Sequence, residues 1–225
     1  MHSHNDYEQR EPFEMAYRLG YDSIEADLFL NDGEIMVAHD WDRISPERTF
    51  QKLYLVPLLA KIKTNGGFVY SNKKPLFLLL DLKKDGKAIL EQLFQILKPY
   101  QQELRNVTIV ISGDMPTPSD FKHYPKLFYF DGRRTLNYSA KELKRVAFVS
   151  ASLLDFGKYW SGKNPFSAEI QNKIADFVFE FHQKKKKVRL WATPNTILGY
   201  ETLQKLGVDM IGTDDLALLH SFINP

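Results

Sequence analysis

Three short pieces of this chain carry residues able to do chemistry: Glu25-Ala26-Asp27, Ala38-His39-Asp40 and Asp81-Leu82-Lys83, each at the end of an apolar, β-like run. Successive side chains of a strand point to opposite faces, so Glu25 and Asp27 share a face, as do Asp81 and Lys83. Three carboxylates in a chain with no Cys suit a hard cation, Mg²⁺ or Ca²⁺, whereas zinc more typically recruits several His or Cys ligands. His4 and His39 add imidazoles that titrate in the range useful for general acid and base work. Taken singly, each is an ordinary strand-end charge. Together they read as a metal and acid/base site spread over several strand ends.

The elements that must position these groups alternate between strand-like and helical runs, the pattern of a parallel α/β fold. After a short N-terminal strand come a helix over Pro12–Leu19, a strand over Ser23–Leu30 and a hairpin arm over Glu34–Ala38. Asn31-Asp32-Gly33 has the composition of a three-residue hairpin loop, which pairs Leu30 with Glu34 and sets His39 beside Glu25. A two-residue Asp-Gly turn instead puts His39 on the wrong face. Trp41–Lys74 forms a longer excursion, helical over Phe50–Lys63, expected to help cover the site.

Further strands fall at Leu76–Leu82, Val107–Ile111, Phe128–Phe130, Val146–Val149, Val188–Trp191 and Met210–Gly212, with amphipathic helices among them. Ser139-Ala140-Lys141-Glu142 is a capping-box pattern that opens a short helix. With the N-terminal strand there are eight parallel strands, hence one compact (β/α)₈ barrel over residues 1–225 with a β-hairpin extension after the second strand. Active sites of that fold lie at the C-terminal strand ends, where His4, Glu25, Asp27, Asp81, Lys83, Trp191 and Asp214 all fall.

With 30 basic and 28 acidic residues, the formal charge of +2 is too balanced for a nucleic-acid footprint, and nothing points to a protein partner. Absence of Cys excludes a disulfide framework and thiol catalysis. Only three residues precede His4, which leads to the expectation that an export signal has been removed and that the protein is periplasmic or secreted; a cytoplasmic location is the alternative. Phe156, Tyr159 and Trp160 suggest a loop that touches a membrane surface peripherally.

The pattern His4-Asn5-Asp6-Tyr7, Gly20, Ser23-Ile24-Glu25-Ala26-Asp27, Gly33 and Ala38-His39-Asp40 resembles the N-terminal signature of glycerophosphodiester phosphodiesterases, in the phospholipase C-like phosphodiesterase superfamily. Leu80-Asp81-Leu82-Lys83 is more similar to sphingomyelinase D, and Arg189–Pro194 and Gly207–Asp214 resemble the superfamily's closing strands, so the likeness spans essentially the whole chain. The opening His2-Ser3-His4-Asn5-Asp6-Tyr7 is also similar to the branch that includes altered-inheritance-of-mitochondria proteins.

The resemblance implies a phosphoric diester hydrolase acting on a glycerophosphodiester, phospholipid or related small-molecule or lipid-headgroup diester. It implies one divalent cation on Glu25, Asp27 and Asp81, His4 and His39 as the acid/base pair, and Lys83, Trp191, Asn5 and Arg133 at the substrate. One departure concerns the first histidine: the diesterases follow it with Arg and Gly, whereas His4 is followed by Asn5 and Asp6, leaving Arg133 or Arg189 to supply the phosphate contact. Two other readings compete. His2-Ser3-His4 is similar to the paired metal ligands of amidohydrolases, though Asp131-Gly132-Arg133 and Ser150-Ala151-Ser152 supply none of the further His ligands that superfamily uses. A non-catalytic barrel that binds a phosphorylated headgroup is the other.

Overall fold

A computed structural model describes residues 1–225. Eight parallel strands close into a barrel: β1 (His2–Ser3), β2 (Ser23–Asn31), β4 (Leu76–Leu82), β5 (Val107–Gly113), β6 (Phe128–Arg133), β7 (Val146–Ser152), β8 (Lys187–Trp191) and β9 (Met210–Thr213). β3 (Glu34–Val37) is the added hairpin arm, antiparallel to β2. Closure rests on β1, which is two residues long yet pairs with both β2 and β9. The helices are α1 (Glu14–Arg18), α2 (Val56–Thr64), α3 (Gly86–Leu97), α4 (Ala140–Leu143), α5 (Ala168–Gln183), α6 (Ile197–Lys205) and α7 (Leu216–Ile223). None is long and apolar enough to cross a membrane. The capping box at Ser139 and Glu142 forms as expected and opens α4.

Strand parity divides the apolar residues into two bodies. Ile24, Ala26, Leu28, Leu78, Leu80, Leu82, Ile109 and Ile111 face outward into the main core against the helices. Leu79, Val110, Phe148 and Met210 form a separate cluster, with Phe77 against it. These four lie on the strand faces that also carry Asp81, Ser112, Ser150 and the other polar groups of the barrel interior, so an apolar floor underlies a polar layer.

The hairpin differs from the expected one. Asn31, not Leu30, pairs with Glu34, leaving a two-residue turn in which Asp32 and Gly33 both have positive φ, 48° and 80°. This is the type I′ geometry, whose twist matches that of the flanking strands and which Asp-Gly favours. Parity along that ladder sets His39 opposite Ala26, on the wrong face, but the regular pairing stops at Leu28 with Val37. Val37 N–H turns to the Arg48 carbonyl at 2.8 Å, and past Ala38 the chain is free to swing the His39 ring back over Asp27.

The 41–74 excursion also acts differently from expectation, because none of its residues lines the cleft at the barrel mouth. It runs through a π-helical turn, Gln51–Leu55, into α2 and supports the Asn5–Glu8 turn from behind. Tyr54 Oη donates to Asp6 Oδ2 at 3.0 Å, and the Arg48 guanidinium donates to the Tyr7 carbonyl.

Gly113 ends β5 at φ 72°, and a Cβ there would stand 2.2 Å from the Leu82 carbonyl oxygen and 2.9 Å from Asp81 Oδ1. Gly113→Ala is therefore expected to destabilise the fold by about 1–3 kcal/mol or more, read as a lower urea midpoint at unchanged slope.

Candidate active site

The C-terminal mouth of the barrel opens into a cleft of about 460 Å³. His4, Asn5, Glu25, His39, Asp81, Lys83, Arg133 and Trp191 line it, so eight of the nine site residues expected from the sequence converge here. Asp27 is the exception, fully buried behind the cleft wall.

Strand register explains the carboxylate cluster. Asp27 on β2 pairs in register with Asp81 on β4, which pairs with Ser112 on β5. Two anions side by side repel unless a cation stands between them, and Lys83 Nζ does, 2.7 Å from Asp27 Oδ2 and 2.8 Å from Asp81 Oδ2. Burial pushes the Asp27 carboxyl up to about 6, and Lys83 only partly opposes the shift. Burial works against the Lys83 ammonium, but Asp27 and Asp81 more than compensate and raise its pKa.

Glu25 is held apart from this pair. Its Oε2 accepts from Arg189 Nη2 at 2.6 Å and from His2 Nε2 at 2.7 Å, all inside the barrel. Burial alone favours the protonated acid, yet Arg189, then His2, hold Glu25 well below the usual carboxylate range. Burial, reinforced by Arg189, lowers His2 to about 3 and keeps its ring neutral. Its Nδ1 accepts from Ser23 Oγ at 2.8 Å, and Gly212 leaves room for the ring, since a Cβ there would lie 3.3 Å from His2 Cδ2. With both nitrogens committed to side chains of the barrel wall, His2 forms no metal-ligand pair with His4, against the amidohydrolase reading.

The two cleft histidines are supported differently. His4 Nδ1 meets Asp214 Oδ1 at 2.8 Å, and Asp214 Oδ2 accepts from Asn195 Nδ2 at 3.0 Å. Burial opposes charging the ring, but the Asp214 hydrogen bond and the charges of Glu25 and Asp214 outweigh it and leave the His4 pKa raised. His39, half exposed, points Nδ1 at Tyr7 Oη, 3.2 Å away, and at Asp27 Oδ2, 3.4 Å away. Neither Nε2 has a protein partner.

Across the cleft, Arg133 donates to Asp131 Oδ2 at 2.8 Å and to Ser112 Oγ at 3.2 Å, while Arg189 stays with Glu25. Both arginines thus reach the cleft that the His4-Asn5 sequence leaves without a neighbouring Arg. The expected membrane-touching aromatics mostly pack inward. Phe156 is buried against Phe177 and Trp160 packs against Phe166, leaving Tyr159 exposed at 80%. His182 and His220 are structural, bonded to Asp209 and to the Leu19 carbonyl.

Sequence reasoning assigned no role to Tyr7, nor any to Ser112 or Asp131, and it left Asp214 without a partner. Parity could have found part of this, since Arg189 and Trp191, like Asp131 and Arg133, are two apart on one strand.

The donor types suit a hard cation: three carboxylates, with Asp27 Oδ1 buried and lacking any hydrogen-bond partner. As arranged, Lys83 and Arg189 neutralise them, and no three ligating side chains gather around one point.

The closed (β/α)₈ barrel, with two histidines, carboxylates and a lysine at its mouth, has the fold of the glycerophosphodiester phosphodiesterase-like barrels. The AIM6-like phosphodiesterase domain matches residues 1–117, and the chain belongs to that family. Similar proteins include the altered inheritance of mitochondria protein 6 homolog of Arthroderma benhamiae, 28% identical over 96% of this chain and 81% of that protein. The altered inheritance of mitochondria protein 6 of Saccharomyces cerevisiae is 25% identical over 99% of this chain and 70% of its own length. Among solved structures, a glycerophosphodiester phosphodiesterase from Parabacteroides distasonis superposes with a TM-score of 0.63 at 15% identity, covering 100% of this chain and 97% of its own. An Oleispira antarctica phosphodiesterase, in complex with the product sn-glycerol-3-phosphate, gives 0.55 at 15% identity over 94% and 88%. These likenesses carry the fold.

Two outcomes follow from this geometry. Asp214→Asn removes the anion that favours charged His4, so an NMR titration should show the His4 pKa falling from above the ordinary histidine value to below it. Arg189→Ala leaves Glu25 buried without its cation and is expected to cost about 3–5 kcal/mol in chemical denaturation.

Proposed function

We propose that this chain is a metal-dependent phosphoric diester hydrolase acting on a glycerophosphodiester, phospholipid or related diester through two histidines. One observation carries the reading: His4 and His39 line one cleft, each with Nδ1 engaged by an oxygen and Nε2 left without a protein partner. Displacement at phosphorus needs one group to take the proton of the attacking hydroxyl and another to protonate the leaving oxygen. His4, whose charged form Asp214 favours, donates to the leaving oxygen, and His39 accepts the proton from the nucleophile.

Lys83, Arg133 and Arg189 set fixed positive charge beside the phosphate, where negative charge grows during displacement. Glu25, Asp27 and Asp81 would hold the divalent cation, Mg²⁺ or Ca²⁺, which when bound offsets charge on the non-bridging oxygens. Trp191, 43% exposed at the rim, and Asn5 border the substrate.

The test is turnover of bis(p-nitrophenyl) phosphate and a panel of glycerophosphodiesters and phospholipids, with Mg²⁺ or Ca²⁺ against EDTA. His39→Ala and Asp81→Asn stand beside wild type; Asp81 serves better than Glu25, whose loss leaves Arg189 buried and unpaired. Turnover should require the metal and fall at least about 100-fold in His39→Ala. Absence of both turnover and calorimetric metal binding would overturn the reading.

A further inference from the structure

Tyr7 is a fully buried phenol that the chemistry above leaves without a task. It sits on a single turn of 3₁₀ helix, Asp6–Glu8, directly after β1, and that turn is held from several sides. Asp6 accepts from Ser3 Oγ at 2.7 Å, from Phe13 N–H at 2.6 Å and from Tyr54 Oη, while Arg48 grips the Tyr7 carbonyl. The ring therefore reaches the site on a backbone with little freedom to move.

Its oxygen meets three groups: Asp27 Oδ2 at 2.5 Å, Asn5 Oδ1 at 2.8 Å and His39 Nδ1 at 3.2 Å. A phenol has one proton to give. A phenol keeps that proton at neutral pH, since its ordinary pKa is about 10. A carboxylate is a stronger acceptor than an amide oxygen, and here it is also nearer, so the proton points to Asp27. The contact with His39 is then a hydrogen bond in one sense only, with Nδ1–H donating to the phenol oxygen.

His39 needs such an anchor. It lies beyond the end of β3, half exposed, and its other polar neighbour, Asp27 Oδ2 at 3.4 Å, is past ordinary hydrogen-bond length. Which imidazole nitrogen carries the proton is set by the hydrogen bond the other nitrogen makes.

We propose that Tyr7 is a positioning residue for His39: its hydroxyl oxygen accepts the Nδ1 proton and so presents Nε2, lone pair free, on the cleft side of the ring. The catalytic consequence rests on the phosphodiesterase reading, but the placement of the proton does not. A lone pair on Nε2 is what a base needs toward an attacking hydroxyl. Loss of the phenol oxygen frees the ring to rotate and to carry its proton on Nε2.

The experiment is long-range ¹H–¹⁵N correlation of the imidazole rings at alkaline pH, in wild type and Tyr7→Phe, with His39 assigned through His39→Ala. Wild type should show His39 protonated on Nδ1, and Tyr7→Phe should show it shifted to Nε2. With bis(p-nitrophenyl) phosphate, Tyr7→Phe should lower kcat about 10–100-fold with KM changed no more than about twofold. Nε2 protonation in wild type overturns the proposal, a result that needs no variant to fold. Nδ1 protonation in both proteins also overturns it, because Asp27 alone would then hold the ring. If neither protein turns over substrate, the phosphodiesterase reading fails while the spectra still decide the role of Tyr7.

Discussion

The ion pair between Arg189 and Glu25, buried inside the barrel with neutral His2 against it, is the constraint on which the rest of the mouth depends. An isolated charge in that position is very costly, so each partner requires the other in place. Arg189 comes from β8 and Glu25 from β2, and β9 and β1 are the two strands that bridge them where the barrel closes, so a barrel that failed to close would separate them. Two further features serve this pair. Gly212 on β9 has no side chain to crowd the His2 ring, and Ser23 donates to its far nitrogen, leaving Nε2–H for Glu25.

Above this pair the strand ends alternate in sign. Asp27 and Asp81 lie in register across β2 and β4, and Lys83 stands between them; Asp131 is buried on β6, and Arg133 two residues on turns back to it. Such an arrangement keeps many charges near one cleft without a large net field, and it leaves the cationic ends of Lys83 and Arg133 only partly covered. An incoming anion meets groups already oriented by their own carboxylates. The apolar floor of Leu79, Val110, Phe148 and Met210 closes the barrel interior below them.

The two histidines reach this cleft by different routes. His4 follows β1 directly, and its partner Asp214 follows β9, the strand beside it, so barrel closure itself brings the two together across 210 residues of sequence. His39 comes from a hairpin arm outside the barrel, and its place depends on where the β2–β3 ladder stops and on what receives the ring. A carboxylate favours the charged form of one imidazole, and a phenol receives the other. Two chemically identical side chains are thereby given different surroundings.

Much of this was legible in the residues. Alternation placed Glu25 with Asp27 and Asp81 with Lys83, the succession of strand-like and helical runs implied the closed parallel barrel, and its C-terminal ends collected groups that line the cleft. The hairpin shows where such reasoning stops: Asn31-Asp32-Gly33 allows either loop length, and the choice of the two-residue turn depends on strand twist, which local composition does not record. The parity argument for His39 therefore failed although His39 reaches the cleft, because Ala38 is the last residue of the arm bonded to β2 and His39 lies beyond the ladder that parity describes. Sequence by itself determined the fold, through periodicity, and the inventory of groups at the mouth, because both follow from local rules repeated along the chain. Only the tertiary structure decided the pairings: closure of the whole barrel brings Arg189 to Glu25 and Asp214 to His4, while the pairing of β1 with β2 and the hairpin arm beyond it brings Tyr7 to His39, because residues so far apart in the chain meet only when separate strands dock.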